Sequence, residues 1–334
     1  MNYGKDATEK RLQAVNSRSR KYRSRIFLTF LKTCCVLCLF SVLVISSIGI
    51  GIVMGIIDNS PDLNVDSIVP IGYATTVYDS AGNLTDTLVT AGSNREEATY
   101  DELPQDLINA FVAIEDSRFW THNGIDLRSI SRAAVGVLTG ENRGGGSTIT
   151  QQLIKNNVFS GGMESGWGAR IERKLQEQYL ALEIEKQMTK EEILEAYMNT
   201  INLGQNCLGV QSAAKRYFNK DVSELTLSEC AVIAGITQNP TRYDPVTHPE
   251  ENAKRRDIVL NNMLEQGYIT QQEFDEAKAD PVYDRIQPTA VGSDAEKPNT
   301  YFIDELAEQI LNDLQERKSY TATQAHNLLY SGGL

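Results

Sequence analysis

Apolar residues along this chain follow three different patterns. From Thr33 to Ile57 they run for 25 positions without a charged residue, so no face of a helix formed there would be polar. At about 1.5 Å per helical residue, such a run crosses the ~30 Å hydrocarbon layer of a bilayer. One transmembrane helix is therefore predicted at 26–57. Between 74 and 89, in "ATTVYDSAGNLTDTLV", apolar and polar residues alternate around Ser80–Asn83, which predicts a hairpin within a stalk at 58–95. From about residue 96 the period becomes helical. Leu107, Phe111 and Ile114 form one stripe, and Ile171, Leu175, Tyr179 and Leu182 form another. Capping boxes at Thr189/Glu192, Thr226/Glu229 and Thr270/Glu273 each precede an apolar run. "ECAVIAGI" (229–236) is apolar on nearly every side and is expected at the centre of the core. After the loop at 238–250, Arg256, Val259, Leu260 and Met263 resume a helix. Beyond Pro281 the chain becomes polar, with one more helix expected near 299–317. These patterns predict a mainly α protein: a helical domain at 96–280 and a polar helical linker at 281–334.

Charge then orients the apolar helix. Residues 1–25 carry eight Lys and Arg against Asp6 and Glu9, whereas Asp58, Asp62 and Asp66 follow the span. The positive-inside rule places this basic tail in the cytoplasm and everything after Ile57 outside, in a single-pass arrangement at the cell membrane. The run is too long for a cleaved signal peptide and lacks a small-x-small cleavage site. The net charge of −12 therefore divides into +6 in the tail and about −19 outside, with Lys32 set aside. That sign disfavours nucleic acid as a partner, so an anionic ligand would need a local basic cluster. Cys34, Cys35 and Cys38 lie in the span, and Cys207 and Cys230 in apolar helical surroundings, a distribution that suits packing better than a disulfide framework or a metal site.

Four segments carry candidate chemistry. In "AFVAIEDSRFWTHNGID" (110–126) an apolar helix ends on Glu115 and Asp116, beside Phe119, Trp120, His122 and Gly124. A carboxylate kept partly dry in this way suits general-base work, although an isolated pair would more often cap the next turn. In "RGGGSTITQQLIKN" (143–156) three glycines permit close backbone approach; Ser147, Thr148, Thr150 and Gln151 supply neutral donors, and Lys155 adds a cation. Such a surface fits a sugar or a phosphate, but it lacks the spacing of a nucleotide-binding loop. On the helix 169–187, Arg170, Arg173, Lys174 and Glu177 cluster on one sector. They form either a solvated face with an i,i+4 pair or a site for a diphosphate. "EEILEAYMN" (191–199) adds Glu195, Tyr197 and Asn199, although core packing accounts for most of it.

Together these segments resemble the family-51 glycosyltransferases, the peptidoglycan-polymerising domain of class A penicillin-binding proteins and of monofunctional transglycosylases. The family pattern E-D-x-x-F-x-x-H-x-G is met by Glu115, Asp116, Phe119, His122 and Gly124, and G-G-S-T-I-T-Q-Q-x-x-K-N by Gly145 through Asn156, Gln152 included. R-K-x-x-E is met by Arg173, Lys174 and Glu177, and I-L-E-x-Y-x-N by Ile193 through Asn199. A weaker fifth pattern is met by Arg255, Val259, Leu260 and Met263.

The resemblance implies a lysozyme-like helical head, a small membrane-proximal jaw within 125–165, and a mobile loop at 158–168. It implies lipid II and the growing glycan chain as substrates at the bilayer surface. Glu115 would be the base for the acceptor hydroxyl, and Lys155, Arg170, Arg173 and Lys174 would hold the leaving diphosphate. Glu177 would organise those cations or hold a divalent cation, Mg or Mn; no organic cofactor is implied. Cell-division or elongation proteins are the partner class implied. The transpeptidase patterns of class A proteins do not follow. Ser212-Ala-Ala-Lys215 is read as a chance match, and the polar tail favours an N-terminal part of a bifunctional protein over a natural monofunctional form. A lysozyme-like glycan-cleaving enzyme and an inactive cell-wall scaffold are the rival classes.

Overall fold

The computed structural model describes residues 4–61, 63, 75–88, 95–140, 145–159, 166–288, 301–318, 325 and 328–329. The chain divides into two units, Met1–Ser60 and Pro61–Leu334.

The first unit is a single helix, α1 (Lys5–Asp58). Its stretch Arg25–Asp58 has a mean hydropathy of 2.7 and buries none of its apolar window against protein. It is the one described helix long and apolar enough to cross a membrane. The hydroxyls of Thr29, Thr33, Ser41 and Ser47 each donate to the carbonyl four residues back at 2.8 to 3.0 Å, which satisfies these four hydroxyl hydrogens within the helix. The sequence pattern set the basic tail apart from the span, whereas the helix runs through both. Neither Gly nor Pro lies between Lys5 and Ile48, and the tail is rich in strong helix formers, so nothing local stops the helix.

The second unit begins with the expected hairpin, β1 (Thr75–Tyr78) paired antiparallel with β2 (Leu84–Leu88). Its turn is tied by the Asp79 carboxylate, which accepts the N–H groups of Ala81 and Asn83 at 2.8 Å each. The main helices follow: α2 (Gln105–Glu115), α3 (Leu127–Thr139), α4 (Ile149–Asn157), α5 (Trp167–Ile184), α6 (Lys190–Met198), α7 (Val210–Phe218), α8 (Leu227–Ile236), α9 (Pro249–Glu265), α10 (Gln271–Ala279) and α11 (Tyr301–Lys318). The hairpin and α11, far apart in sequence, share a small apolar cluster: Val77 packs with Ile303, Ala307, Ile310, Leu311 and Leu329. The Thr75 hydroxyl donates to the Leu329 carbonyl. Segments read as a stalk and a linker thus pack together.

α8 lies at the centre of the larger core, with every residue from Ser228 to Ile236 buried, as its all-round apolar sequence requires. α2 and α9 pack against α8, and α4 packs between α5 and α6. The three expected capping boxes are present, joined by Thr99/Glu102, Thr148/Gln151 and Asp221/Glu224. Of the span expected as a jaw, α4 belongs to the core through Ile149, Leu153 and Ile154, while α3 remains largely exposed. Residues 160–165 of the expected mobile loop lie outside the described residues.

Helix α5 departs from its predicted orientation. Ile171 and Leu182, the ends of the apolar stripe, are both 40% exposed, and the buried face runs through Arg173, Gln176, Glu177, Leu180 and Ile184. Two of these, Arg173 and Glu177, carry opposite charges and pair with each other, a compensation that a hydrophobic count does not register. The Ser212/Lys215 match has a packing role: the buried Ser212 hydroxyl accepts the Glu96 N–H at 3.0 Å, and Lys215 pairs with the Glu96 carboxylate.

Gly124 sets how closely the loop before α3 approaches α5. Its φ is +83°, and an added Cβ would stand 2.4 Å from the Ala181 carbonyl oxygen. Gly124→Ala is expected to destabilise the protein by about 3 kcal/mol or more, since both the backbone region and the contact are forbidden to alanine. Denaturant unfolding of the detergent-solubilised protein measures this, and an unchanged midpoint would refute it.

Candidate active site

Glu115 is the last residue of α2 and Asp116 its C-cap. The carbonyls of the final turn need partners, and α9 supplies them to Ala113: Gln266 Nε2 donates at 3.0 Å and Asn262 Nδ2 at 3.4 Å. Glu115 faces a cleft of about 590 Å³. Its Oε2 accepts from Gln152 Nε2 at 2.8 Å, and its Oε1 accepts from the Thr237 hydroxyl. Behind Gln152, the fully buried Tyr197 hydroxyl lies 3.4 Å from Gln152 Oε1, with its ring edge-on to Phe111. Burial pushes the Tyr197 phenol well up, and the carboxylates of Glu115 and Asp116 add to the effect, so Tyr197 stays a neutral donor.

Asp116 is buried and occupied. His122 Nε2 lies 2.9 and 3.0 Å from its two oxygens, and the Ile149 N–H at the start of α4 donates to Oδ2 at 3.0 Å. A carboxylate only accepts, so Nε2 carries the hydrogen. Thr148 caps α4 and donates to the Gly124 carbonyl at 2.7 Å. Gln151 completes the box, its Oε1 3.3 Å from the Thr148 N–H. Thr150 donates to Glu185 at 2.7 Å; Glu185 also accepts from Lys190 at 2.7 Å, and the Lys190 ammonium sits 4.4 Å from the centre of the Phe119 ring. Phe119, fully buried, and His122 are absent from the cleft lining; Asp116 and Thr148 touch the cleft, but their hydrogen bonds run into the frame.

The second pole lies on the buried face of α5. Glu177 is inaccessible to solvent; Arg173 pairs with its Oε1, and Lys174 Nζ donates to Oε2 at 2.6 Å. Lys174 Nζ also reaches the Ser147 hydroxyl at 3.1 Å. Lys155 projects from α4 into the cleft. Burial holds its ammonium below the usual lysine range, and Lys174 and Arg173 push the same way against Glu177 and Glu115. Glu115, Lys155, Lys174 and Ser147 therefore line one cleft, with Glu177 directly behind Lys174.

Other expected contacts lie elsewhere. Arg170 is exposed and Asn156 half-buried, and neither is among the lining residues. Glu195 accepts the Tyr100 N–H at 2.6 Å, and Asn199 brackets Ala98 with bonds of 3.0 and 2.8 Å, so both fasten the segment leading into α2. The cleft also contains residues missed by sequence reasoning, among them Ser129, Arg132, Thr237, Asn262 and Gln266, together with Arg255 of the weak fifth pattern. One signal pointed to Thr237: like Glu115-Asp116, Thr237-Gln238 is a polar pair ending an apolar helix.

The wall near α3 is set by Asp126, which caps the helix by accepting the Arg128 and Ser129 N–H groups at 3.0 and 3.2 Å. Arg118 Nη2 donates to Asp126 Oδ2 at 2.5 Å and to the Ser129 hydroxyl at 2.9 Å. Burial opposes the Asp126 charge, but Arg118 and Ser129 outweigh it and hold the carboxyl down to about 2.

The family model described as "Transglycosylase" matches residues 81–264. Penicillin-binding protein 1A of Clostridium botulinum (strain Langeland) is 39% identical over 85% of this chain and 35% of its own length. The protein of the same name from Clostridium perfringens (strain 13) is 36% identical over 96% of this chain and 47% of its own. The chain thus spans less than half the length of these relatives. A crystal structure of penicillin-binding protein 1A from Haemophilus influenzae aligns with a TM-score of 0.41 at 23% identity, covering 79% of this chain and 26% of that one.

The Asp126 cap has a definite pH signature. Because its carboxyl is lowered in the folded state, its stabilisation is complete above about pH 4, where the unfolded residue is also ionised, and is lost as pH falls through about 2. The difference in unfolding free energy between the parent protein and Asp126→Asn is expected to stay constant from neutrality to about pH 4 and to shrink below that. A difference that grows on acidification would contradict the assignment.

Proposed function

The chain belongs to the transglycosylase family, and we propose that its cleft joins lipid II units into glycan strands, with inversion at the donor sugar and release of polyprenyl diphosphate. One observation carries this reading: a carboxylate held by neutral donors lines one cleft with two cations, Lys155 and Lys174, the latter paired with a second carboxylate behind it. The first carboxylate suits proton removal and the cations suit an anionic leaving group.

In the step proposed, the acceptor's 4-hydroxyl gives its proton to Glu115. The oxygen's electron pair forms the new bond to the donor anomeric carbon, and the bond to the diphosphate breaks with its pair leaving on phosphate oxygen. Gln152 and Thr237 each hold one Glu115 oxygen, which leaves lone pairs of the carboxylate for the incoming hydroxyl. Lys155 and Lys174 meet the charge that grows on the diphosphate, where stabilisation lowers the barrier most. Arg173 acts through Glu177, which fixes Lys174 as well.

Glu177 does not offer a divalent cation a fitting donor set. Two positive side chains already engage its oxygens, and among the described residues no group of three His, Cys, Asp or Glu side chains is placed to hold a metal. No part of the step is therefore routed through Mg or Mn. The apolar α1, with a basic N-terminal side, supports a single-pass anchor that leaves the second unit outside the cell. Confinement at the membrane suits an enzyme whose donor and acceptor are both lipids.

A glycan-cleaving enzyme of lysozyme type would need one dominant carboxyl group, to protonate the leaving sugar oxygen, but not the cations, so the two readings separate on product. Detergent-solubilised protein given labelled lipid II is expected to make polymer that a moenomycin-type inhibitor suppresses; fragments released from preformed glycan, with no polymer, would overturn the proposal. Glu115→Gln is expected to lose roughly 10²- to 10⁴-fold in polymerisation rate. Lys155→Gln is expected to lose roughly 10²- to 10³-fold. Gel analysis of the glycan product reads both.

A further inference from the structure

The Thr237 hydroxyl has two acceptors and one hydrogen. It stands within hydrogen-bond distance of Glu115 Oε1 and, at 3.0 Å, of the Ala234 carbonyl oxygen one turn back on α8. A hydroxyl donates once and accepts through its lone pairs, so the two contacts cannot both be donated together. They correspond instead to the two states of the carboxyl group. With Glu115 ionised, Thr237 donates to it. With Glu115 protonated on Oε1, the Thr237 hydrogen swings to Ala234 and its oxygen accepts from the carboxylic acid.

Building on the base role proposed for Glu115, we infer that Thr237 is a positioning residue that keeps Glu115 hydrogen-bonded before and after it takes the substrate's proton. Neither state requires a heavy atom to move. Gln152 cannot perform this exchange, because the atom it presents to Glu115 is an amide nitrogen that only donates. Thr237 is well placed for the task as the C-cap of α8, whose residues Ser228 to Ile236 are all buried. Its oxygen is thereby fixed relative to α2, which packs directly against α8. A base that must reorganise its surroundings on each proton transfer loses rate to that reorganisation, whereas a preset partner avoids the loss.

The test compares Thr237→Val and Thr237→Ala, which lack the hydroxyl, with Thr237→Ser, which keeps it, in steady-state polymerisation of lipid II. Val and Ala are expected to lower kcat roughly 10- to 100-fold with KM within about twofold, the size expected for a lost bond to a charged group. Ser is expected to stay within about threefold of the parent kcat. The Ser/Ala pair differs in little but the hydroxyl and remains decisive even if Val disturbs packing. Val and Ala at the parent rate, Ser falling as far as Ala, or a loss confined to KM would each overturn the inference. A parent protein that makes no polymer would instead overturn the proposed function, so the two failures are distinguishable.

Discussion

The rest of the site depends on the carboxylate of Asp116. It stands where the C-terminal end of α2 meets the N-terminal end of α4, accepting from the first N–H of α4 and from His122. A negative charge at a helix N-terminus is favourable, and here it answers donors that would otherwise be buried without partners. Because Glu115 is the adjacent residue on α2 and Gln152 lies one turn into α4, this joint fixes the Glu115 carboxylate against one of its two donors. Thr148, also at the joint, bonds the Gly124 carbonyl, and Gly124 in turn permits the approach to α5 that brings Lys174 to Ser147. Both poles of the cleft are therefore referred to one point.

The second pole illustrates a different constraint. Arg173, Lys174 and Lys155 surround a single buried carboxylate, so the group carries excess positive charge in a place that burial makes costly. Burial and the neighbouring cations depress the Lys155 ammonium, an effect that an incoming anion would relieve. The site thus carries a cost in the free protein that ligand binding offsets.

Many motif residues serve the frame. Phe119 is in the core with Lys190 over its ring, Thr150 anchors Glu185, and Glu195 and Asn199 secure the backbone at Ala98 and Tyr100. A motif records which residues recur together, and a residue that sets the angle of a helix is as constrained as one that touches a substrate. The structure separates the two roles by burial and by the direction of each hydrogen bond.

Local physics made several features legible in the chain alone: the uncharged 25-residue run, the hairpin around Ser80–Asn83, the capping boxes, and the apolar α8, each depending on neighbours within a few positions. The pairing of Glu115-Asp116 with the Gly-rich segment and the α5 cations was legible only as recurring motifs, not as a geometry. The inward turn of the charged face of α5 was not legible, because hydrophobic period cannot register opposite charges that pair along one helix face. Nor was the bond from Thr237 to Glu115, which joins residues 122 positions apart. Sequence determined which segments become helices and which residue types carry chemistry, since both follow from short-range sterics and side-chain identity. Only the tertiary structure decided which carboxylate oxygens are engaged, by whom, and which face of each helix meets the cleft, because those are settled by the packing of helices distant in the chain.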